Sequence, residues 1–213
     1  MRTLNQIFNH YECDKGSNTH HYYKVYKSHF ESYREEPINI LEIGVYKGLS
    51  LKSFVEYFPN ANLYGVDIFE RLPYDHDCFT ELHENPRVTL IQADSTAPCI
   101  LHEQGIKFDV IIDDGSHHPR DQLATFINYW DLVKSGGVYF IEDVWPQHML
   151  TEEKKKREAK RFKELGRYVR LTEYGQDYYD LLVEEMQENH AVGWDMIPYS
   201  NRPNSFIFEI EKP

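Results

Sequence analysis

Positive charge is scarce in this chain. Lysine and arginine number 23 against 35 aspartates and glutamates, a formal net charge of −12 over 213 residues. Contact with a phosphate backbone wants a basic face, so a nucleic-acid partner is not expected, and a neutral or cationic ligand fits better. Cysteine is rare too. Cys13, Cys78 and Cys99 are scattered and odd in number, which argues for reduced thiols in a cytoplasmic protein and against a disulfide frame or zinc set. No apolar run approaches the roughly 20 residues of a membrane span. Met1–Asn9 lacks the apolar core of a signal peptide, so membrane insertion is not expected. There is no internal repeat and no low-complexity tract.

What is present alternates. Leu4, Ile7, Phe8 and Tyr11 have the spacing of a short amphipathic helix. Asp14-Lys15-Gly16-Ser17-Asn18 breaks it, and a second helix is expected over His21–Tyr33, before Pro37. Apolar runs predict strands at Ile38–Ile43, Leu63–Val66, Val88–Ile91, Phe108–Ile112 and Val138–Ile141, the last entered through Gly136-Gly137. Helices are expected over Ser50–Tyr57 and Arg120–Val133, and a short one within Phe69–Glu84. Strands separated by helices indicate βαβ units and a doubly wound, mostly parallel α/β sheet with helices on both faces. Glu152–Lys163 reads as a charged, solvated helix whose basic cluster is Lys154–Arg157. A helix over Gln176–Asn189 follows. Trp194–Tyr199 and Ser205–Glu211, joined by Asn201–Asn204, read as an antiparallel hairpin at the sheet edge, which makes seven strands.

Chemistry concentrates at strand ends. Phe108–Ile112 runs into Asp113-Asp114-Gly115-Ser116-His117-His118, and Pro119 suits the first position of a helix. Glu142-Asp143 closes the next strand. In a parallel sheet both acidic pairs emerge at the carboxyl edge, where such sheets bind ligands. Together they form a candidate hard-metal site with a general base, His117, beside it. Plainer roles are open: Asp113 or Asp114 as a helix cap, Glu142-Asp143 as a solvated strand end, His118 in place of His117. After the first strand comes Glu42-Ile43-Gly44-Val45-Tyr46-Lys47-Gly48. Gly44 and Gly48 let backbone approach a ligand, but Tyr46 occupies the second glycine of a dinucleotide fingerprint, and no P-loop ending exists. Asp67 ends the second strand, where a carboxylate accepts ribose hydroxyls. Asp94 follows the third strand, placed for an adenine edge. A nucleoside without pyrophosphate, carrying a positive group near Glu42, describes S-adenosylmethionine.

On these residues the chain resembles the class I S-adenosylmethionine-dependent methyltransferases over roughly Pro37–Lys212. Within them it is similar to the metal-dependent O-methyltransferases of macrolide deoxysugars and rhamnosyl groups. Asp14-Lys15-Gly16, Ile112–His117 and Ile141-Glu142-Asp143 carry this finer likeness. The resemblance implies Mg²⁺ (or Mn²⁺) on Asp114, Glu142 and Asp143, and His117 as base. It implies cofactor contacts from Glu42, Gly44, Gly48, Asp67, Asp94 and Asp113, and Asp14-Lys15 either folding over the cofactor or only turning the chain. The expected organisation is an N-terminal helical cap, 1–36, and a methyltransferase domain, 37–213. The expected activity is O-methylation of a sugar hydroxyl on a small-molecule or glycan acceptor. A catechol-type enzyme and a silent cofactor-binding domain partnering a glycosyltransferase are the alternatives. Homo-oligomerisation, or attachment to a glycosyltransferase, is left open.

Overall fold

The computed structural model describes residues 1–144, 178–200, 202 and 204–213. The charged helix expected over Glu152–Lys163 and its basic cluster lie outside these residues. The elements are α1 (Leu4–His10), α2 (Tyr23–Tyr33), β1 (Asn39–Ile43), α3 (Leu49–Tyr57), β2 (Asn62–Asp67), α4 (Thr80–His83), β3 (Val88–Gln92), β4 (Phe108–Asp113), α5 (Pro119–Tyr129), β5 (Val133–Ile141), α6 (Tyr178–Glu188), β6 (Val192–Asp195) and β7 (Phe206–Glu211). They build one seven-stranded sheet in the order β3-β2-β1-β4-β5-β7-β6. The first five strands are parallel, and β7 inserts antiparallel between β5 and β6. This is the expected doubly wound α/β fold with a C-terminal antiparallel pair. No described helix is long and apolar enough to cross a membrane.

Strand alternation divides the core into two halves, because successive side chains point to opposite faces. Ile40, Val110, Ile112, Val138 and Phe140 pack on one face against Phe8, Phe30, Phe54 and Phe58 of the first three helices and the turn that follows α3. Leu41, Ile43, Ile111, Tyr139 and Ile141 pack on the other against Phe126 of α5 and Leu182 and Met186 of α6. The same alternation puts Glu42 and Glu142 on the face that carries α1 and α2. Phe30 stacks on Tyr26 and meets Phe54, Phe58 and Phe140 edge-on, so one ring joins α2, α3 and β5.

Several boundaries differ from expectation. Strand β5 starts at Val133, before the glycines. Gly136 (φ 76°) lies inside the strand, alongside a register shift between Phe108 and Val110 of β4. Two glycines that read as a turn are therefore an irregularity within a long strand, as glycine in a strand commonly is. Helix α5 stops at Tyr129 and tightens into a 3₁₀ turn over Trp130–Leu132. The strand expected over Trp194–Tyr199 covers Val192–Asp195, and Pro198 instead sits in a 3₁₀ turn at Ile197–Tyr199. Proline has no N–H for the ladder and its fixed φ suits that turn.

Phe30→Ala should cost about 3–5 kcal/mol, the usual loss for a buried phenylalanine. Urea unfolding is the measurement, and a cost below about 1 kcal/mol would mean that α2 is not anchored by this ring.

Candidate active site

The carboxyl ends of β1, β4 and β5 lie side by side. Asp113 pairs with Ile43 on one side and Ile141 on the other, and the Glu142 N–H donates to the Asp113 carbonyl at 2.9 Å. Both acidic pairs therefore leave the sheet at one edge. A cleft of about 570 Å³ opens there, lined by Gly44, Asp67, Asp94, Asp113, Asp114 and His117 among others. That size suits a cofactor-scale ligand. Among the described residues, Glu42, Gly48, Glu142 and Asp143 do not line this cleft.

The loops that shape it hold strained backbone. Gly44 has φ 91°, and a Cβ there would lie 2.1 Å from the Asp114 carbonyl oxygen. Only glycine lets the β1 and β4 loops touch. Tyr46, Phe69, His117 and Asp143 all adopt left-handed φ, between 47° and 58°, a conformation that costs about 1–3 kcal/mol and gathers at functional sites. Asp67 pins two of these loops: it accepts the N–H groups of Val45 (2.8 Å), Tyr46 (3.0 Å) and Phe69 (2.7 Å). Asp94 accepts from the backbone and hydroxyl of Thr96. Gly48, also left-handed at φ 71°, is the N-cap of α3. The cap of α5 is neither aspartate but His118, whose Nδ1 accepts the Arg120 N–H at 3.3 Å.

At the centre, Asp114, His117 and Asp143 each present one potential ligand atom, all within 4.8 Å of one another. His117 Nε2 lies 3.0 Å from Asp114 Oδ1, and Nδ1 lies 3.6 Å from Asp143 Oδ2. Asp143 is held by the Tyr22 hydroxyl (2.6 Å) and by Asn204 Nδ2 (2.6 Å). Glu142 is turned to the α1–α2 face. Tyr26 donates to its Oε1, and Lys15 Nζ reaches its Oε2 at 2.7 Å and Asp114 Oδ2 at 2.5 Å.

Burial governs the charges. It raises Glu42 and Glu142 to about 8 and Asp113 to about 7. Among the described residues, Glu42 Oε2 and Asp113 Oδ2 are buried without a hydrogen-bond partner, and Ser50 donates to the other oxygen of Glu42. Burial also raises Asp114, but Lys15 and His117 outweigh it and hold that carboxyl far below the usual range. For His117, burial favours the neutral ring. The hydrogen bond to Asp114 and the charges of Asp143, Asp114 and Asp113 prevail, lifting it to about 9. The carboxylates of Asp114 and Asp143 face one point with the His117 imidazole beside them, which fits a hard divalent cation, while Glu142, held by Tyr26 and Lys15, stands outside that group.

Tyr22, Tyr26 and Asn204 are the site residues that sequence reasoning missed, while Lys15, expected either over the cofactor or only in a turn, meets Asp114 and Glu142. Lys15 carried a signal as part of Asp14-Lys15-Gly16. Tyr22 and Tyr26 read only as the apolar side of α2, and Asn204 only as turn.

The fold and site define an S-adenosylmethionine-type α/β domain, and comparison with known proteins agrees. A family model described as a methyltransferase domain matches residues 41–144. Residues 41–144 are thus a methyltransferase domain, and the relatives below support the class I S-adenosylmethionine-dependent type for it. The chain is 32% identical over 149 residues to a tetracenomycin rhamnosyl 3'-O-methyltransferase of Streptomyces olivaceus, with 67% of this chain and 37% of the relative aligned. It is 33% identical over 152 residues to mycinamicin VI 2''-O-methyltransferase of Micromonospora griseorubida, covering 67% and 36%. The chain thus spans little more than a third of these relatives' length. Among solved structures it is similar to the MycE methyltransferase in complex with Mg, S-adenosylhomocysteine and mycinamycin VI (TM-score 0.65, 24% identity, 99% of this chain and 54% of that one). It shares its fold with Aeropyrum pernix fibrillarin bound to S-adenosylmethionine (TM-score 0.57, 14% identity, 84% and 68%).

In the metal-free protein His117 should titrate near pH 9, followed by the NMR shift of its ring protons. A raised folded-state pKa means that folding favours the protonated ring. Its stabilisation is complete below the unfolded value of about 6.5 and is lost as pH rises through about 9. His117→Gln should remove that loss. A wild-type midpoint at or below 6.5 would contradict the geometry.

Proposed function

We propose that this chain carries the catalytic part of an S-adenosylmethionine-dependent O-methyltransferase acting on a sugar hydroxyl, with a deoxyhexose such as rhamnose in a glycan or glycoside as acceptor. The observation that carries this reading is the convergence of Asp114, His117 and Asp143 beside a cleft that Gly44, Asp67 and Asp94 line. The relatives named above support the sugar, since they are O-methyltransferases of a rhamnosyl tetracenomycin and of mycinamicin VI. Free Cys13, Cys78 and Cys99 suit the cytoplasm.

In this reading the loops after β1, β2 and β3 would hold the cofactor, with Gly44 giving room, Asp67 fixing its loop for the ribose and Asp94 serving the adenine. Asp113 would add a contact from the β4 end, and Glu42 and Gly48 would support the loop that carries Gly44. The bound cofactor supplies a methyl already activated by its sulfonium. The chain's work is then mainly alignment. Asp114, Glu142 and Asp143 would hold Mg²⁺ or Mn²⁺, whose contribution is to make the acceptor hydroxyl more acidic. His117 takes the hydroxyl proton at one ring nitrogen, while Asp114 (through Nε2) or Asp143 (through Nδ1) orients the ring from the other. This needs a neutral imidazole, and a nearby cation lowers the histidine's pKa from its metal-free value. Catechol-type enzymes use a lysine base. Lys15 is a poor candidate: burial would release its proton, but Asp114 and then Glu142 hold it as the ammonium.

S-adenosylhomocysteine should bind with a micromolar Kd, about −7 to −8 kcal/mol by calorimetry. Asp67→Ala should weaken it by about 1–3 kcal/mol, the range for hydrogen bonds to a charged group. Absence of binding, or equal preference for NAD, rules out the cofactor assignment.

Transfer of labelled methyl to a rhamnosyl glycoside should stop in EDTA and return with Mg²⁺, while S-adenosylhomocysteine binding survives the chelator. His117→Ala should lower turnover by about 10²–10⁴-fold, as for a positioned base. Full turnover in EDTA rules out the metal. Near-normal turnover in His117→Ala with an inactive His118→Ala moves the base to the neighbouring residue.

A further inference from the structure

Lys15 is 1% exposed, and its ammonium lies within 2.7 Å of two different carboxylates, Glu142 and Asp114. A loop fastened at both ends delivers it there. The Asp14, Lys15 and Gly16 carbonyls accept the N–H groups of His20, Tyr23 and His21 at 2.8, 3.1 and 3.0 Å, and the Ser17 N–H donates to Asn5 at 2.8 Å. Gly16 packs so tightly that a Cβ would lie 2.3 Å from Asn9 Oδ1. The lysine is therefore placed by the fold and does not reach in from solvent.

We propose that Lys15 is the internal counter-cation of the carboxylate centre and competes with the divalent ion for the oxygens of Asp114 and Glu142, so that it sets the ion's affinity. This rests on the metal reading above. Every oxygen of the pair is already engaged: Asp114 Oδ1 by His117, Glu142 Oε1 by Tyr26, and the two remaining oxygens by Lys15. An incoming ion must share or displace the ammonium. Without the ammonium, Asp114 Oδ2 and Glu142 Oε2 lose their shared partner and become open to an ion.

The test is titration calorimetry with MnCl₂ on wild-type protein, Lys15→Met and Lys15→Gln, with folding checked by circular dichroism. The neutral variants should bind Mn²⁺ more tightly, by roughly 5- to 150-fold, the usual span of coupling between two bound species. Equal or weaker affinity in a folded neutral variant overturns the role of Lys15 and leaves the metal reading standing. No Mn²⁺ binding by wild type or variants overturns both. Should neither variant fold, acetylation of Lys15 in wild-type protein decides, read by mass spectrometry. Labelling that rises with Mn²⁺ supports competition, and labelling that does not rise while Mn²⁺ binds overturns it.

Discussion

Carboxylates removed from water at the ends of three neighbouring strands are the constraint on which this structure turns. Glu42, Asp113, Glu142 and Asp143 are buried, and Asp114 is partly so. Ionised groups there are costly unless paired. The pairing comes from elsewhere in the chain: Lys15 and the two tyrosines from the N-terminal segment, Asn204 from the approach to β7, His117 from the β4 loop. The N-terminal helices therefore contribute to the electrostatics of the site as well as covering one face of the sheet.

The same edge concentrates unfavourable backbone. Four non-glycine residues in left-handed conformation sit in the loops after β1, β2, β4 and β5. The strain persists because the surroundings over-determine it. Asp67 ties Val45, Tyr46 and Phe69, while Tyr22 and Asn204 clasp Asp143. A cleft built from such fixed loops meets its ligand with little left to order, the usual route to affinity through preorganisation.

Fold and chemistry separate cleanly here. Fibrillarin shares the architecture at 14% identity, and architecture alone does not choose an acceptor. The grouping of Asp114, His117 and Asp143, with Glu142 alongside, distinguishes this edge from a bare nucleoside cleft.

Periodicity and strand-end residues carried the architecture. The apolar runs ending at Ile43, Ile112 and Ile141 can be buried only between two layers of helices, which dictates a parallel sheet and brings Asp113-Asp114 and Glu142-Asp143 to one edge. Gly44 was legible because a tight strand–helix turn needs it. Local pattern failed where distant contacts decide. Gly136-Gly137 read as a turn because glycine breaks strands, yet neighbouring strands carry β5 through both. The helix-cap role open to Asp113 and Asp114 went to His118, since Asp113 still belongs to β4. The partner of Glu142 could not be read locally at all. Lys15 lies 127 positions away, and no spacing rule links them. The sequence by itself determined which groups stand at the sheet edge, because strand ends are a local property. Only the tertiary structure decided which charge answers which, because that depends on the packing of α1 and α2 across the sheet.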